Sequence, residues 1–290
     1  MKPVITLTTD FGAADAYVAA MKGVIMSLNR QAAIVDISHS IRPQDVFQAA
    51  FLLHTAWGYF PEGTIHIVVV DPGVGSGRRI LLLKTPRAYF IAPDNGVLSY
   101  ILAEISPGIV KGEASFPELP DDLRMGEVPS GVEAYALTNA RFWRQPVSST
   151  FHGRDIFAPV AAHLSLGVPM AELGEVVSSV LVFPIPRPLI TDKGIIHGHI
   201  VHVDGFGNLV TDVRAEDIPS GNLIIEAGGH RVRGLSPSYS AGGELLALIG
   251  SSGYMEVAAK NGNAAERLGL GVGDAVIIRK LRGGQGCGYS

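Results

Sequence analysis

The sequence predicts an α/β domain with a central, mostly parallel sheet, followed by a smaller all-β, barrel-like domain. Three observations carry this. Short Ile- and Val-rich runs alternate with segments of helical period through the first hundred residues. The stretch Phe183-Pro-Ile-Pro-Arg-Pro-Leu then sets three prolines in alternation, which favours extended linker backbone. Beyond it, short strand-like runs recur between glycine turns, the pattern of a small barrel or sandwich.

Taken in order, residues 4–9 read as a strand. Residues 13–27 read as a helix, with Tyr17, Val18, Met21 and Ile25 close to helical spacing. A second strand is predicted at 33–38 and a second helix at 43–59, with Pro43 suited to a first helical turn. Residues 64–70 form an Ile/Val run of the kind buried on both sheet faces. A βαβαβ order of this kind implies parallel strands covered by helices. Strands at 80–84 and 88–91 follow. One helix is expected after Asp94-Asn95-Gly96 and another after Phe151-His152-Gly153. The second domain is read as strands at 194–203, 209–213, 222–226, 245–248, 254–258 and 275–279. The predicted division is an α/β domain at 1–184, a β domain at 192–282 and a flexible tail at 283–290.

The bulk composition narrows the function classes. The chain has 290 residues, 47% of them hydrophobic and 17% charged, which suits a packed globular protein. A net charge of -4 and only 7% aromatic residues speak against a nucleic-acid partner, which calls for a basic stripe or stacking platforms. The lone cysteine, Cys287, has no internal partner for a disulfide, which fits a reducing compartment. No apolar run is long enough to span a bilayer and no secretory leader pattern opens the chain, so the reading is a cytoplasmic protein without a membrane partner.

Five motifs hold chemistry-bearing residues. Thr8-Thr9-Asp10-Phe11-Gly12 closes the first strand, and ligands of open α/β sheets bind beyond the carboxyl ends of strands. There Asp10 can accept from a ribose diol, or simply cap the next helix. Asp71-Pro72-Gly73-Val74-Gly75-Ser76-Gly77-Arg78 is glycine-rich, but it is neither a dinucleotide fingerprint nor a phosphate loop. The third glycine is misplaced, a strand follows, and no Gly-Lys-Ser/Thr is present. It remains a turn able to bring Asp71 and Arg78 together, as a functional pair or a structural one. In Thr150-Phe151-His152-Gly153-Arg154-Asp155, His152 sits where a loop becomes a helix and can orient or deprotonate water, while Arg154 and Asp155 are expected to pair. Asp204-Gly205-Phe206-Gly207-Asn208 offers a ring for stacking and an amide for a purine edge, or is a plain hairpin turn. Gly250-Ser251-Ser252-Gly253-Tyr254-Met255-Glu256 brings a hydroxyl, an aromatic ring and a carboxylate into a turn. His197, His199 and His202 imitate a metal cluster, but strand alternation sends His202 to the opposite face, and no metal site is predicted.

Together the five motifs resemble the SAM hydrolase family, the S-adenosyl-methionine (SAM) hydroxide adenosyltransferases. This family is related to the fluorinases and chlorinases, which attack SAM with halide. The resemblance runs from Thr8 to the segment Asn263-Ala264-Ala265-Glu266-Arg267-Leu268-Gly269. It implies a catalytic set of Asp71, Arg78 and His152. It implies a substrate-binding set of Asp10 and Phe11 with Asn95, Asp204, Phe206, Asn208, Ser252, Tyr254 and Glu256. Within that set Asp10 serves the ribose, Phe206 and Asn208 the adenine, and Ser252 the methionine portion. It further implies a homotrimer whose sites lie between the α/β domain of one subunit and the β domain of a neighbour.

Where the halogenases carry Tyr-Ser after Thr-Phe, this chain has His152-Gly153, which favours water over halide. The expected reaction is hydrolysis of SAM to adenosine and methionine, with water attacking the adenosyl 5′ carbon and no cofactor. Either Asp71 or His152 is the base. The alternatives are a halide-dependent adenosyltransferase and a non-catalytic sensor of SAM or adenosine.

Overall fold

The structure, a computed structural model, describes residues 2–110 and 121–281. Residues 2–110 and 121–184 form one compact unit and residues 185–281 a second. The tail expected at 283–290, with Cys287, lies outside the described residues.

The first unit begins β1 (Val4–Thr9), α1 (Tyr17–Leu28), β2 (Ala33–Ser38), α2 (Val46–Trp57) and β3 (Thr64–Val69). It continues with β4 (Ile80–Lys84), β5 (Ala88–Pro93), α3 (Ser99–Ile105), β6 (Arg124–Glu127) and β7 (Glu133–Ala136). It ends with α4 (Ala158–Ser165), α5 (Met170–Leu173), β8 (Glu175–Val176) and β9 (Ser179–Val182). Seven strands form one sheet in the order β2-β1-β3-β5-β4-β7-β8, and β6 pairs separately with β9. Strands β2, β1, β3 and β5 run parallel. Strand β4 opposes β5 and β7, and β8 opposes β7, so five of the seven point one way.

Helices cover the sheet. On one face Met21 and Ile25 of α1 and Ala161 of α4 pack with Ile5, Leu7, Ile65 and Ile67 of the central strands. Phe47 and Phe51 of α2 are also buried, and Phe47 meets Phe183 at a centroid distance of 5.5 Å. Every residue of β3 is buried, Thr64 and His66 included, as a central strand covered on both faces requires. Each such Val or Ile contributes roughly 1.5–3 kcal/mol relative to an exposed side chain.

Two helix starts depart from the sequence expectation. Helix α1 begins at Tyr17, not residue 13, because Gly12 turns with φ +68 and its N–H donates to the carbonyl of His39 at 2.8 Å. That bond holds the chain near β2 before the helix can form. Helix α2 begins at Val46 and leaves Pro43 outside it. Gln44 has φ 67, incompatible with a helical turn, and Asp45 caps instead by accepting from the Gln48 N–H at 2.8 Å.

The second unit contains β10 (Leu189–Ile190), β11 (Ile196–Val203), β12 (Leu209–Arg214), β13 (Leu223–Ala227) and β14 (His230–Arg233). It continues with β15 (Leu245–Ile249), β16 (Tyr254–Ala259), the short helix α6 (Ala264–Leu268) and β17 (Ala275–Lys280). The main path is β14-β13-β17-β11-β12-β16-β15, with every pairing antiparallel. The Ser236 N–H, just past β14, donates to the Ala247 carbonyl of β15 at 2.7 Å, so the two end strands meet and the barrel is nearly closed. Its interior is filled by Ile200, Leu209, Ile225, Met255, Val257 and Ile278 among others. The proline stretch is not wholly linker: Leu189 and Ile190 add to β11 as an edge strand.

No helix among the described residues is long and apolar enough to cross a membrane. Along β11, His197 and His199 are half-buried, and a register shift separates His202 from them. Among the described residues, no three His, Cys, Asp or Glu side chains converge as a metal-binding group.

Candidate active site

Asp10, Asp71 and Asn95 each lie one or two residues past the carboxyl end of β1, β3 and β5, three neighbouring parallel strands. This is the edge of an open α/β sheet where ligands bind. A cavity of about 300 Å³ opens there, lined by Asp10, Phe11, Tyr17, Gln44, Asp71 and His152 among others.

The glycine loop brings its two ends together. Arg78 donates from Nε to Asp71 Oδ1 at 2.8 Å, and its Nη2 donates to Asp71 Oδ2. The same Nη2 reaches His152 Nδ1 at 2.9 Å. The Asp71 and Arg78 side chains are only 5% and 11% exposed, so each charge depends on the other for compensation. Gly75 makes the approach possible. Its φ is +79, and a Cβ there would stand 2.5 Å from the Ser149 carbonyl oxygen. The loop therefore presses its backbone against the segment that leads to His152.

His152 precedes a π-helical turn, Gly153–Phe157, which runs directly into α4. Gly153 fits closely, since a Cβ would meet Met21 Sδ at 3.1 Å and Val69 Cγ1 at 3.3 Å. Asp155, fully buried, accepts from Arg154 Nε and Nη2, each at 2.7 Å, and from the Ser148 N–H at 2.9 Å. The expected Arg154–Asp155 pair is thus present, and it anchors the loop that presents His152.

The chain of donors fixes the imidazole tautomer. A guanidinium has only donors, so His152 Nδ1 must accept and Nε2 carries the proton. Burial lowers the His152 pKa below the usual histidine value, and the Arg78 charge lowers it further. His152 is therefore a neutral ring with Nε2–H as its remaining polar group.

Asp10 is held from one side: its Oδ2 accepts from the Gln44 N–H at 2.8 Å. Phe11 packs against Tyr17 and Phe151 with centroid distances of 5.5 and 5.8 Å. Asn95 donates from Nδ2 to the Val70 carbonyl at 3.0 Å and accepts the Val97 N–H. Tyr17, Gln44 and Phe151 line the cavity without having been marked by the sequence motifs as ligand contacts. Tyr17 falls in a helical period, and the left-handed Gln44 carries no mark that a sequence displays. Phe151 stood inside the His152 motif without a role.

The remaining candidates belong to the second unit. Asp204 organises its turn by accepting from the N–H groups of Phe206 and Asn208 at 2.8 and 2.9 Å and from Asn208 Nδ2 at 2.8 Å. Phe206 is 81% exposed. Ser252 is half-buried in the turn between β15 and β16. Tyr254 is buried, and its hydroxyl accepts from Arg214 at 2.9 Å. Glu256 is buried and accepts from the Tyr239 hydroxyl at 2.6 Å; burial raises its pKa, and the nearby Asp204 charge adds to the rise. Gly250 leaves the room this carboxylate occupies, because a Cβ there would overlap Glu256 Oε1.

The comparisons agree across both units. Residues 5–174 match the SAM hydroxide adenosyltransferase N-terminal domain, and residues 198–277 match the C-terminal domain of the same family. The chain is 36% identical over 280 residues to an (R)-S-adenosyl-L-methionine hydrolase of Salinispora tropica, covering 95% of this chain and 97% of that one. It is 36% identical over 285 residues to another protein of that name from Thermus thermophilus, covering 96% and 100%. The crystal structure of an uncharacterized conserved protein from Thermotoga maritima is similar with a TM-score of 0.80 and 31% identity, over 96% of this chain and all of that one. With both of its units matched in order and its relatives aligned nearly end to end, this chain belongs to the SAM hydroxide adenosyltransferase family.

Proposed function

We propose that the protein hydrolyses SAM to adenosine and methionine. The observation that carries this reading is the continuous hydrogen-bonded set Asp71–Arg78–His152, with Asp71 and His152 on the wall of the cavity that Asp10 also lines. The SAM hydrolase name of the relatives from Salinispora and Thermus supports the same substrate.

Water attacks the 5′ carbon of the adenosyl group in line with the C–S bond, and that bond's electron pair leaves with sulfur. The sulfonium departs as a neutral thioether, so no acid is needed at the leaving group and SAM enters as substrate with no cofactor. Water is the weak partner, and holding it in line supplies much of the rate. The roles divide by protonation. His152 Nε2–H donates to the water oxygen, which leaves a lone pair to attack carbon. Asp71 uses two of its roughly four lone-pair sites on Arg78 and keeps the others to take the proton. Arg78 stabilises hydroxide character as it develops. Asp10, braced by the Gln44 N–H, holds the ribose.

The finer features of the proposal rest on the family resemblance. Phe206 and Asn208 serve the adenine and Ser252 the methionine portion; Asp204, Tyr254 and Glu256 belong to the same substrate-binding set. The working assembly is a homotrimer in which a neighbouring subunit completes the site. A cytoplasmic location suits a chain whose lone thiol fits a reducing compartment.

The test is to incubate the protein with SAM, with and without chloride, and identify the products, alongside Asp71→Asn. Adenosine and methionine in both buffers, with turnover at least about a hundredfold lower in the variant, is the expected result. Chlorinated adenosine would point to halide transfer, and intact SAM with bound adenosine to a sensor.

A further inference from the structure

The motif Asp94-Asn95-Gly96 sits just past β5, yet it does not line the cavity. Its contacts go to the two ends of the glycine loop. That loop leaves β3 through Val70 and enters β4 through Arg79, the sequence neighbours of Asp71 and Arg78.

Asn95 takes the first end. Its Nδ2 donates to the Val70 carbonyl at 3.0 Å, and its Oδ1 accepts from the Val97 N–H at 3.2 Å. Val70 is fully buried, so its carbonyl requires a partner within the protein. Asp94 takes the second end. Its N–H donates to the Arg79 carbonyl at 3.0 Å, and its Oδ2 accepts from Arg79 Nε at 2.8 Å. Its Oδ1 accepts from the Leu181 N–H at 2.7 Å, which ties the clamp to β9. Gly96 completes the turn at φ +88, where a Cβ would stand 2.7 Å from the Phe183 ring.

We propose that Asp94 and Asn95 are positioning residues that fix the two ends of the glycine loop, so that Asp71 and Arg78 meet each other and His152 in register. The kinetic side of this inference rests on the SAM hydrolase reading; the geometric side does not. A displacement of about 1 Å in such a set can lower turnover by around a hundredfold, without touching the groups that hold the ligand.

The decisive variant is Asn95→Ala, a neutral change that removes the donor to Val70. If it does not fold, Asn95→Ser takes its place, because its hydroxyl can still accept from the Val97 N–H. Two readouts are taken. In steady-state assays kcat falls about tenfold or more, while KM for SAM and Kd for adenosine stay within about twofold. By NMR, the His152 ring titrates closer to the ordinary value of about 6.5 than in the parent, because Arg78 no longer stays on Nδ1. A weakened adenosine Kd with kcat retained would make Asn95 a direct ligand contact and overturn the proposal. So would unchanged kcat together with an unchanged His152 titration. If the parent protein fails to turn over SAM, the hydrolase reading falls, and the His152 titration alone still decides this inference.

Discussion

Arg78 Nη2 donates to His152 Nδ1 at 2.9 Å, and this one bond makes Nδ1 an acceptor and leaves Nε2–H as the ring's donor, which on the proposed mechanism serves the water. A glutamine side chain is also neutral, with an oxygen that can face Arg78 and an N–H that can face water. His152→Gln should therefore keep turnover within about tenfold of the parent, whereas His152→Ala should lose about a hundredfold or more. Steady-state kcat for the two variants checks this. Equal, severe losses in both would return the base role to His152.

The same environment sets an acid limb. Burial first, and the Arg78 charge second, lower the His152 pKa. The neutral ring predominates at neutral pH and is lost as pH falls through that lowered value. The limb in kcat/KM that follows His152 should lie below pH 6.5, the ordinary histidine position. A pH–rate profile of the parent against His152→Gln isolates it, since glutamine does not titrate. A limb unchanged in His152→Gln would assign the titration to another group.

Gly75 and Gly77 stand two residues apart in one loop and should respond differently. Gly75 has φ +79 with the Ser149 oxygen 2.5 Å from a built Cβ, while Gly77 has open space and no positive φ. Gly75→Ala should cost about 1–3 kcal/mol and lower turnover by spreading Arg78 from His152. Gly77→Ala should stay within about 0.5 kcal/mol. Denaturant midpoints and kcat for both check this, and equal behaviour would remove the close approach from the account.

His66 lies fully buried in β3, bonded to Thr6 Oγ1 at 2.8 Å and stacked on Phe90. Burial lowers its pKa to about 4. The unfolded chain takes up a proton near pH 6.5 while the folded chain stays neutral, so stability falls as pH drops from 6.5 toward 4. The 2.5-unit gap corresponds to on the order of 3 kcal/mol. Unfolding free energies measured across that window should lose most of this slope in His66→Leu. An unchanged slope would assign it to other groups.

Much of the first unit is readable from its residues. The Ile/Val run of β3 and the alternation around it specify buried parallel strands, and the glycines after Asp71 announce a loop that can close on Arg78. Strand β4 shows the limit. Ile80-Leu-Leu-Leu is buried on both faces, and such a run looks the same whether it lies parallel or antiparallel to β5. The start of α1 is not legible in the sequence, because a long-range bond, Gly12 to His39, overrides the helix preference of the alanines before Tyr17. In the second unit, the Asp204–Asn208 turn was legible as turn chemistry. That Asp204 itself occupies the Asn208 amide depends on side-chain geometry that no spacing encodes.

On the proposed mechanism, water attacks the adenosyl 5′ carbon under the direction of Asp71, Arg78 and His152. Incubating the protein with SAM in chloride-free buffer made with oxygen-18 water, followed by mass spectrometry, tests it most directly. Adenosine carrying the heavy oxygen at its 5′ position, with methionine released unlabelled, is the predicted result. Intact SAM after long incubation with adenosine still bound, or adenosine without the label, would contradict it.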